Sequence, residues 1–189
     1  MNGIEAMTTT ANMKLQNTGF YPALAAPSRS AEIPESADAY GWLIGSWEMD
    51  VLDYNTDNPP RRSKGEVHFA WTLEGRAVQD VWIVPRKDER TGDLSKTTNL
   101  YGITLRVWDP AIQAWRVTWI NPVSGSHDHL IGRKIGKDVV QIGARPDGTS
   151  FRWIFTDIAT DSFRWIGETL QPDGATWKLS GDCRAKRMR

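Results

Sequence analysis

Three histidines, His68, His127 and His129, are the side chains of this sequence best suited to chemistry near neutral pH. His127 and His129 are two residues apart, so on a β-strand they share a face, as a chelating pair does. A third histidine would complete a zinc-type site with an open position for water. The apolar residues around His68 occupy the alternate positions Val67, Phe69, Trp71 and Leu73. An apolar interior would therefore turn His68 outward, away from the other two histidines. We accordingly predict a site without metal, and the three-histidine metal site is the alternative.

The same histidines suggest acid/base chemistry without a metal. Trp119 and Asn121 share one face of the predicted strand that precedes His127 and His129. Tyr101 begins an earlier strand, on which Tyr101, Ile103, Leu105 and Val107 are predicted to face inward. An indole wall, an amide, a phenol and an imidazole in one pocket would suit a flat, partly polar substrate. We therefore predict His127, His129 and Tyr101 as catalytic residues. The alternative is that both histidines are polar rim residues at a solvated loop end.

Further residues are predicted to line the interior because of their alternation or their position near strand ends. The predicted substrate-binding residues are Trp119, Asn121, His68, Trp153 and Trp177. Arg152 and Arg164 stand in matching Phe-Arg-Trp triplets and are predicted on the outer face beside Glu168, because charged residues are seldom buried unpaired. The alternative is that both arginines face inward and bind a carboxylate. Asp80 and Arg106 present the same two possibilities.

The elements that must position these residues are short β-like runs, with almost no stretch of helical period after Tyr40. We predict ten strands, at 42–54, 65–73, 77–85, 99–109, 114–121, 127–135, 138–144, 150–157, 162–170 and 176–187. Turn chemistry separates them, as in Pro-Asp-Gly at 146–148 and 172–174. Consecutive antiparallel strands without a helix between them favour an all-β, up-and-down barrel, because closure removes exposed edges. A two-sheet sandwich is the alternative.

Loop lengths distinguish the two ends of such a barrel. Connections alternate between ends, and the longer ones, at 53–64, 86–98, 122–126, 145–149 and 171–175, all fall at one end. Long loops carry function more often than tight turns do, so we predict this end as an open mouth and the other as a closed floor. At the floor, Trp42 and Trp47 would meet Arg184 and Arg187 in cation–π contact.

A family resemblance rests on these residues. Gly45-Ser46-Trp47 on the first strand, with an arginine on the last, resembles the lipocalin and calycin barrels, in which such a pair closes the bottom. The segments LIGSW at 43–47, LEGRAVQDVW at 73–82 and WIN at 119–121 are similar to a group of uncharacterised bacterial lipocalin-like proteins. The resemblance covers about residues 42–187. Asn121 stands where that group has Asp, and Trp108-Asp109 stands where it has Tyr-Asp, so no ligand is carried over. Related barrels include transport proteins and cofactor-independent decarboxylases, cyclases and hydratases.

Composition excludes several classes of protein. The 23 Lys and Arg balance the 23 Asp and Glu, which argues against binding of nucleic acid or of an anionic membrane surface. The single cysteine, Cys183, excludes an internal disulfide and is predicted to be a small core residue. No apolar run approaches the roughly 18 residues of a spanning helix. Phosphate loops, dinucleotide fingerprints and nucleophile elbows are missing, so we expect no cofactor.

Residues 1–39 bury too little apolar surface to form a core of their own. We predict an N-terminal arm or disordered leader, without a signal peptide, followed by a lipocalin-like barrel domain at 40–189. The alternative is an arm, anchored by Phe20 and Tyr21, that covers a partner subunit. We expect a cytoplasmic protein.

Two functions fit these observations about equally. The first is a cofactor-independent lyase, isomerase or hydratase that acts on a small hydrophobic or aromatic molecule through His127 or His129. The second is a non-catalytic small-molecule binding or carrier protein of the lipocalin-like class. An assembly factor that uses exposed tryptophans is a third possibility. Apolar residues on both sides of strands such as 77–85 also suggest a homodimer.

Overall fold

The computed structural model describes residues 19–55, 59–90 and 100–189, which form one short α-helix and eleven strands. The elements in chain order are α1 (Phe20–Leu24), β1 (Ala25–Ala26), β2 (Gly45–Asp53), β3 (Arg61–Thr72), β4 (Ala77–Val84), β5 (Leu100–Asp109), β6 (Ala114–Asn121), β7 (Ser126–Ile135), β8 (Asp138–Ala144), β9 (Ser150–Ala159), β10 (Ser162–Leu170) and β11 (Trp177–Arg187). Short 3-10 turns lie at Glu35–Ala37, Gly41–Leu43, Leu73–Gly75 and Lys87–Glu89. None of the helices in these ranges is long and apolar enough to cross a bilayer.

Strands β2 to β11 form a closed antiparallel barrel of ten strands. Each pairs with its neighbour in the chain, and β11 returns to pair with β2, from Gly181 opposite Asp53 to Arg187 opposite Trp47. Strand β1 lies outside the ring and pairs with the end of β3. The predicted all-β, up-and-down barrel is therefore confirmed. The first barrel strand begins at Gly45 rather than at residue 42, because Gly41–Leu43 forms a 3-10 turn.

The floor of the barrel is closed by an arginine and aromatic rings. The Arg187 guanidinium lies 4.0 Å from the centre of the Trp47 ring and donates hydrogen bonds to the carbonyls of Ile44 and Trp42, at 2.9 and 3.0 Å. Gly45, with φ of 127°, permits this approach, since a Cβ there would lie 2.8 Å from Arg187 Nη1. The predicted pairing is confirmed for Arg187 and wrong for Arg184, which is exposed on the other face of β11.

The segment before β2 packs against the barrel. Ile33 and Ala39 are buried, and the Trp115 indole donates a hydrogen bond to the Ala37 carbonyl at 2.8 Å. Tyr40 and Leu43, both fully buried, join the aromatic cluster above the floor. The part of the predicted leader at 1–18 lies outside the described residues, and the division of the chain after residue 39 stays a prediction.

Strand β5 faces opposite to the prediction. We expected Tyr101, Ile103, Leu105 and Val107 to point inward, but Ile103 and Val107 are each 38% exposed, and the alternate residues Thr104 and Arg106 are buried. The inward arginine is tolerated because the neighbouring strand supplies an acidic partner, described below. The outer face of this region is therefore apolar, and the predicted homodimer stays a prediction.

The outward facing of Arg152 and Arg164 is confirmed. Arg152 bonds to Glu168 across β9 and β10 at 2.6 Å. Arg164 makes two hydrogen bonds with Asp182, at 2.9 and 2.8 Å, and this partner raises the pKa of its guanidinium. Both arginines are thus paired on the outer surface, so the flanking aromatic residues face the interior.

Candidate functional site

A cavity of about 320 Å³ opens at the end that the loop lengths predict to be the mouth. Its walls come from the mouth-side halves of nearly all the barrel strands, and its volume lies near the lower end of the roughly 300–1,000 Å³ typical of small-molecule sites. Its aromatic lining is Trp82, Trp119, Trp153 and Trp165, and its principal polar lining is Thr104, Arg106, Asn121 and Asp128. Exposed Arg61 and Arg145 lie at the rim.

The four indoles form one continuous row through the cavity. Ring centres are 5.5 Å apart between Trp82 and Trp165, 6.0 Å between Trp165 and Trp153, and 6.2 Å between Trp153 and Trp119. Glycines on neighbouring strands make room for the middle of this row. A Cβ at Gly167 would lie 3.0 Å from the Trp165 ring, and one at Gly181 would lie 3.3 Å from it. The row is thus held by close packing.

A buried ion pair forms the polar base of the site. Arg106 Nη1 donates to Asp80 Oδ2 at 2.6 Å, and the Thr104 backbone N–H donates to Asp80 Oδ1 at 2.7 Å. The register explains the pairing, since Asp80 and Arg106 lie on adjacent strands β4 and β5 with Thr104 directly opposite Asp80. Arg106 Nε also donates to Gln141 Oε1 at 3.2 Å. Both charges are therefore compensated, as burial requires.

Aromatic rings complete the surroundings of Arg106. Its guanidinium carbon lies 5.1 Å from the ring centre of Tyr40 and 5.7 and 5.8 Å from those of Phe69 and Phe155. The Tyr40 hydroxyl donates to Gln141 Oε1 at 3.2 Å, and burial raises the pKa of this phenol. The guanidinium is thus confined by rings and hydrogen bonds, which fixes its orientation beneath the cavity.

Two further lining groups have distinct environments. Asp128 lies directly opposite Trp119 in the β6–β7 register, and its carboxylate accepts no hydrogen bond from the described residues. Cys183 is fully buried on the interior side of β11, and burial raises the pKa of its thiol. Asp128 is therefore a charged group available to a ligand, whereas Cys183 is an unreactive thiol at neutral pH.

Three of the predicted binding residues lie together in this cavity: Trp119, Asn121 and Trp153. Asn121 Oδ1 accepts the backbone N–H groups of Val123 and Ser124, so it also fixes the turn between β6 and β7. Trp177 is not in the cavity lining and instead stacks on Arg152, 4.1 Å from the guanidinium to the ring centre. The roles of all four in ligand binding stay predictions.

The histidines and Tyr101 are placed differently from the prediction. His127 and His129 are exposed on the outer face of β7, with ring centres 4.6 Å apart, while Asp128 between them faces the cavity. The alternation was assigned one residue out of phase, because buried Leu130 sets the inward phase of this strand. Tyr101 lies on the outward-facing side of β5, because buried Thr104 and Arg106 occupy the inward-facing positions of that strand.

His68, which was predicted to bind substrate, also faces outward, as its apolar neighbours suggested, and does not line this cavity. Its role in ligand binding stays a prediction. Its Nδ1 lies 2.9 Å from Ser46 Oγ on the outer side of the β2–β3 pair. Within the part of the chain that the structure describes, no three His, Cys, Asp or Glu side chains come together as metal ligands. The three-histidine site is therefore not formed by these residues.

Sequence reasoning did not select Thr104, Arg106, Asp128 and Gln141 as site residues. The sequence feature that could have identified Arg106 was its charge, which is opposite to that of Asp80 on the adjacent predicted strand. Searches of known families and of characterised proteins match no family model and no individual protein to this chain.

Proposed function

We propose that this chain is a lipocalin-like protein that binds a small, flat, largely apolar molecule in the cavity at the mouth of the barrel. The row of four indoles carries the proposal. Tryptophan faces favour stacked or edge-on contact with aromatic rings, each pair adding about 0.5–1.5 kcal/mol beyond the apolar area buried. The cavity volume of about 320 Å³ limits the ligand to a compound of small size.

The polar lining supports binding that is oriented as well as apolar. A few placed polar groups within a mainly aromatic site are typical of specific small-molecule pockets. Here they lie at the base, around Arg106, on the wall formed by β6 and β7, around Asp128, and near the rim, where Asp53, Arg61 and Arg145 also line the cavity. A ligand with a flat apolar body and a polar substituent matches this division.

The test is a titration of the full chain with 2-isopropylnaphthalene, followed by tryptophan fluorescence and calorimetry. We expect saturable binding at one site, weakened roughly tenfold by Trp153→Leu because one of the four indoles that line the cavity is removed. The matched control is His129→Ala on the exposed outer face, which should leave binding unchanged. Unsaturable binding, or equal affinity in Trp153→Leu, would contradict the proposal.

A second candidate is a cofactor-independent lyase, isomerase or hydratase. One observation favours it: the Asp128 carboxylate lines the same cavity as the Arg106 guanidinium. A carboxylate is a general base, and a guanidinium stabilises a developing oxyanion. Ligand retained through purification should then be converted on incubation, with Asp128→Asn slowing turnover roughly a hundredfold or more. The double variant His127→Ala/His129→Ala tests the histidine version, and ligand recovered chemically unchanged would contradict both.

A further inference from the structure

We propose that the ligand carries a neutral carbonyl oxygen, and that Arg106 binds this oxygen at the base of the cavity. The proposal rests on the proposed function, because it specifies the chemistry of the molecule bound between the indoles. Its starting observation is a hydrogen-bond donor of Arg106, on the cavity lining, that the protein leaves unused.

The unused donor belongs to a buried side chain at the base of the cavity. Arg106 is 1% exposed and lines the cavity, and its Nε and Nη1 atoms are bonded to Gln141 and Asp80. Its third nitrogen, Nη2, donates to no acceptor among the described residues. Gln141 is 0% exposed and is not among the residues that line the cavity; its Oε1 accepts from Arg106 and Tyr40 and so holds the guanidinium in place.

An unsatisfied buried donor is costly, about 1–3 kcal/mol, so native structures rarely leave one without an acceptor. Because Arg106 lines the cavity, an acceptor oxygen of the ligand can satisfy its Nη2 donor. Asp80, Gln141 and the surrounding rings hold the guanidinium in place, so little orientational freedom is lost on binding.

The charge balance at the base of the cavity favours a ligand whose hydrogen-bond acceptor is neutral. Arg106 and Asp80 are paired at 2.6 Å with almost no side-chain exposure, so the base of the site is neutral as a unit. A ligand carboxylate would place a second negative charge beside one buried guanidinium, and that charge would be desolvated without full compensation. A carbonyl oxygen accepts the same hydrogen bonds without that charge. A ligand cation would instead be drawn to Asp128 on the β7 wall.

The experiment compares four probes of nearly equal shape on the full chain by calorimetry: 2-acetylnaphthalene, 2-isopropylnaphthalene, 2-naphthoate and 2-(1-aminoethyl)naphthalene. We expect 2-acetylnaphthalene to bind roughly ten- to a hundredfold more tightly than 2-isopropylnaphthalene, because it adds a hydrogen bond to a charged donor. Equal affinity of these two would overturn the inference and leave the proposed function standing. Tightest binding of the naphthoate or of the amine would also overturn it, the amine pointing to Asp128. Absence of binding by all four would overturn the proposed function itself.

Variants test the assignment to the base of the cavity. Asp80→Leu/Arg106→Met removes both charges together and so avoids leaving one buried alone. It should lose the preference for 2-acetylnaphthalene over 2-isopropylnaphthalene, measured as the ratio of the two affinities within the variant. Gln141→Met keeps the ion pair but removes the acceptor of Arg106 Nε, so it should lower this ratio severalfold. His129→Ala on the outer face should preserve the ratio. A carbonyl preference that survives in both base variants would overturn the inference.

Discussion

Asp80→Asn should be among the most destabilising single substitutions in this barrel. The Asp80 and Arg106 side chains are 0% and 2% exposed and are joined at 2.6 Å. The asparagine keeps an oxygen for the Thr104 backbone N–H, now bonded at 2.7 Å. It removes the negative charge and directs an amide donor at a guanidinium donor, so Arg106 is left buried and uncompensated.

Removing one member of a buried pair costs about 3–5 kcal/mol of unfolding free energy. With an m-value of roughly 2.5 kcal/mol per M urea, a loss of about 4 kcal/mol lowers the urea midpoint by about 1.6 M. The assay is equilibrium urea unfolding followed by tryptophan fluorescence and by circular dichroism. Coincident transitions would validate the two-state treatment.

A double-mutant cycle separates the ion pair from general packing. Asp80→Leu/Arg106→Met replaces both charges with apolar groups, so its stability should lie within about 1 kcal/mol of wild type. The coupling energy between the two positions should accordingly be several kcal/mol. The reasoning is refuted if Asp80→Asn loses less than about 1 kcal/mol, or if the double variant loses the sum of the two single losses.

Other predictions concern the core, the floor and alkaline pH. Gly132→Ala would place a Cβ against the Tyr40 hydroxyl and should lower the unfolding free energy by about 2 kcal/mol. Adding Tyr40→Phe should restore most of this loss. Strictly additive losses for the two substitutions in urea unfolding would contradict the prediction. Arg187→Met loses the floor cation–π contact and three hydrogen bonds to backbone carbonyls, so its melting temperature should fall by the amount that corresponds to a loss of about 2 kcal/mol in unfolding free energy. Arg184→Met, at an exposed position, should leave the melting temperature unchanged. Burial raises the pKa of the Cys183 thiol, so this thiol stabilises the fold fully below the unfolded-state pKa of about 8.5, and that contribution is lost as pH rises above it. Unfolding free energies between pH 7 and 10 should therefore fall less steeply in Cys183→Ala, and parallel slopes would contradict the assignment.

Much of the architecture followed from the sequence alone. The ten strands, their order and the closed barrel are predictable because turn residues and short β-like runs act locally, and because a meander of this length leaves exposed edges unless it closes. The mouth and the Trp47–Arg187 floor followed from the same meander, since loop lengths and strand direction place them at opposite ends.

The facing of individual strands was decided only by the tertiary structure. On β5 and β7 apolar and polar residues occupy both phases of the alternation, and a shift of one residue exchanges the two faces. Arg106 became a buried residue because the register places Asp80 beside it, and that compensation depends on a neighbouring strand rather than on the local sequence. His127 and His129 were assigned to the interior from their chemistry, but the burial of Leu130 turned Asp128 inward instead. The sequence thus determined the barrel and its two ends, while cross-strand packing determined which side chains form the cavity.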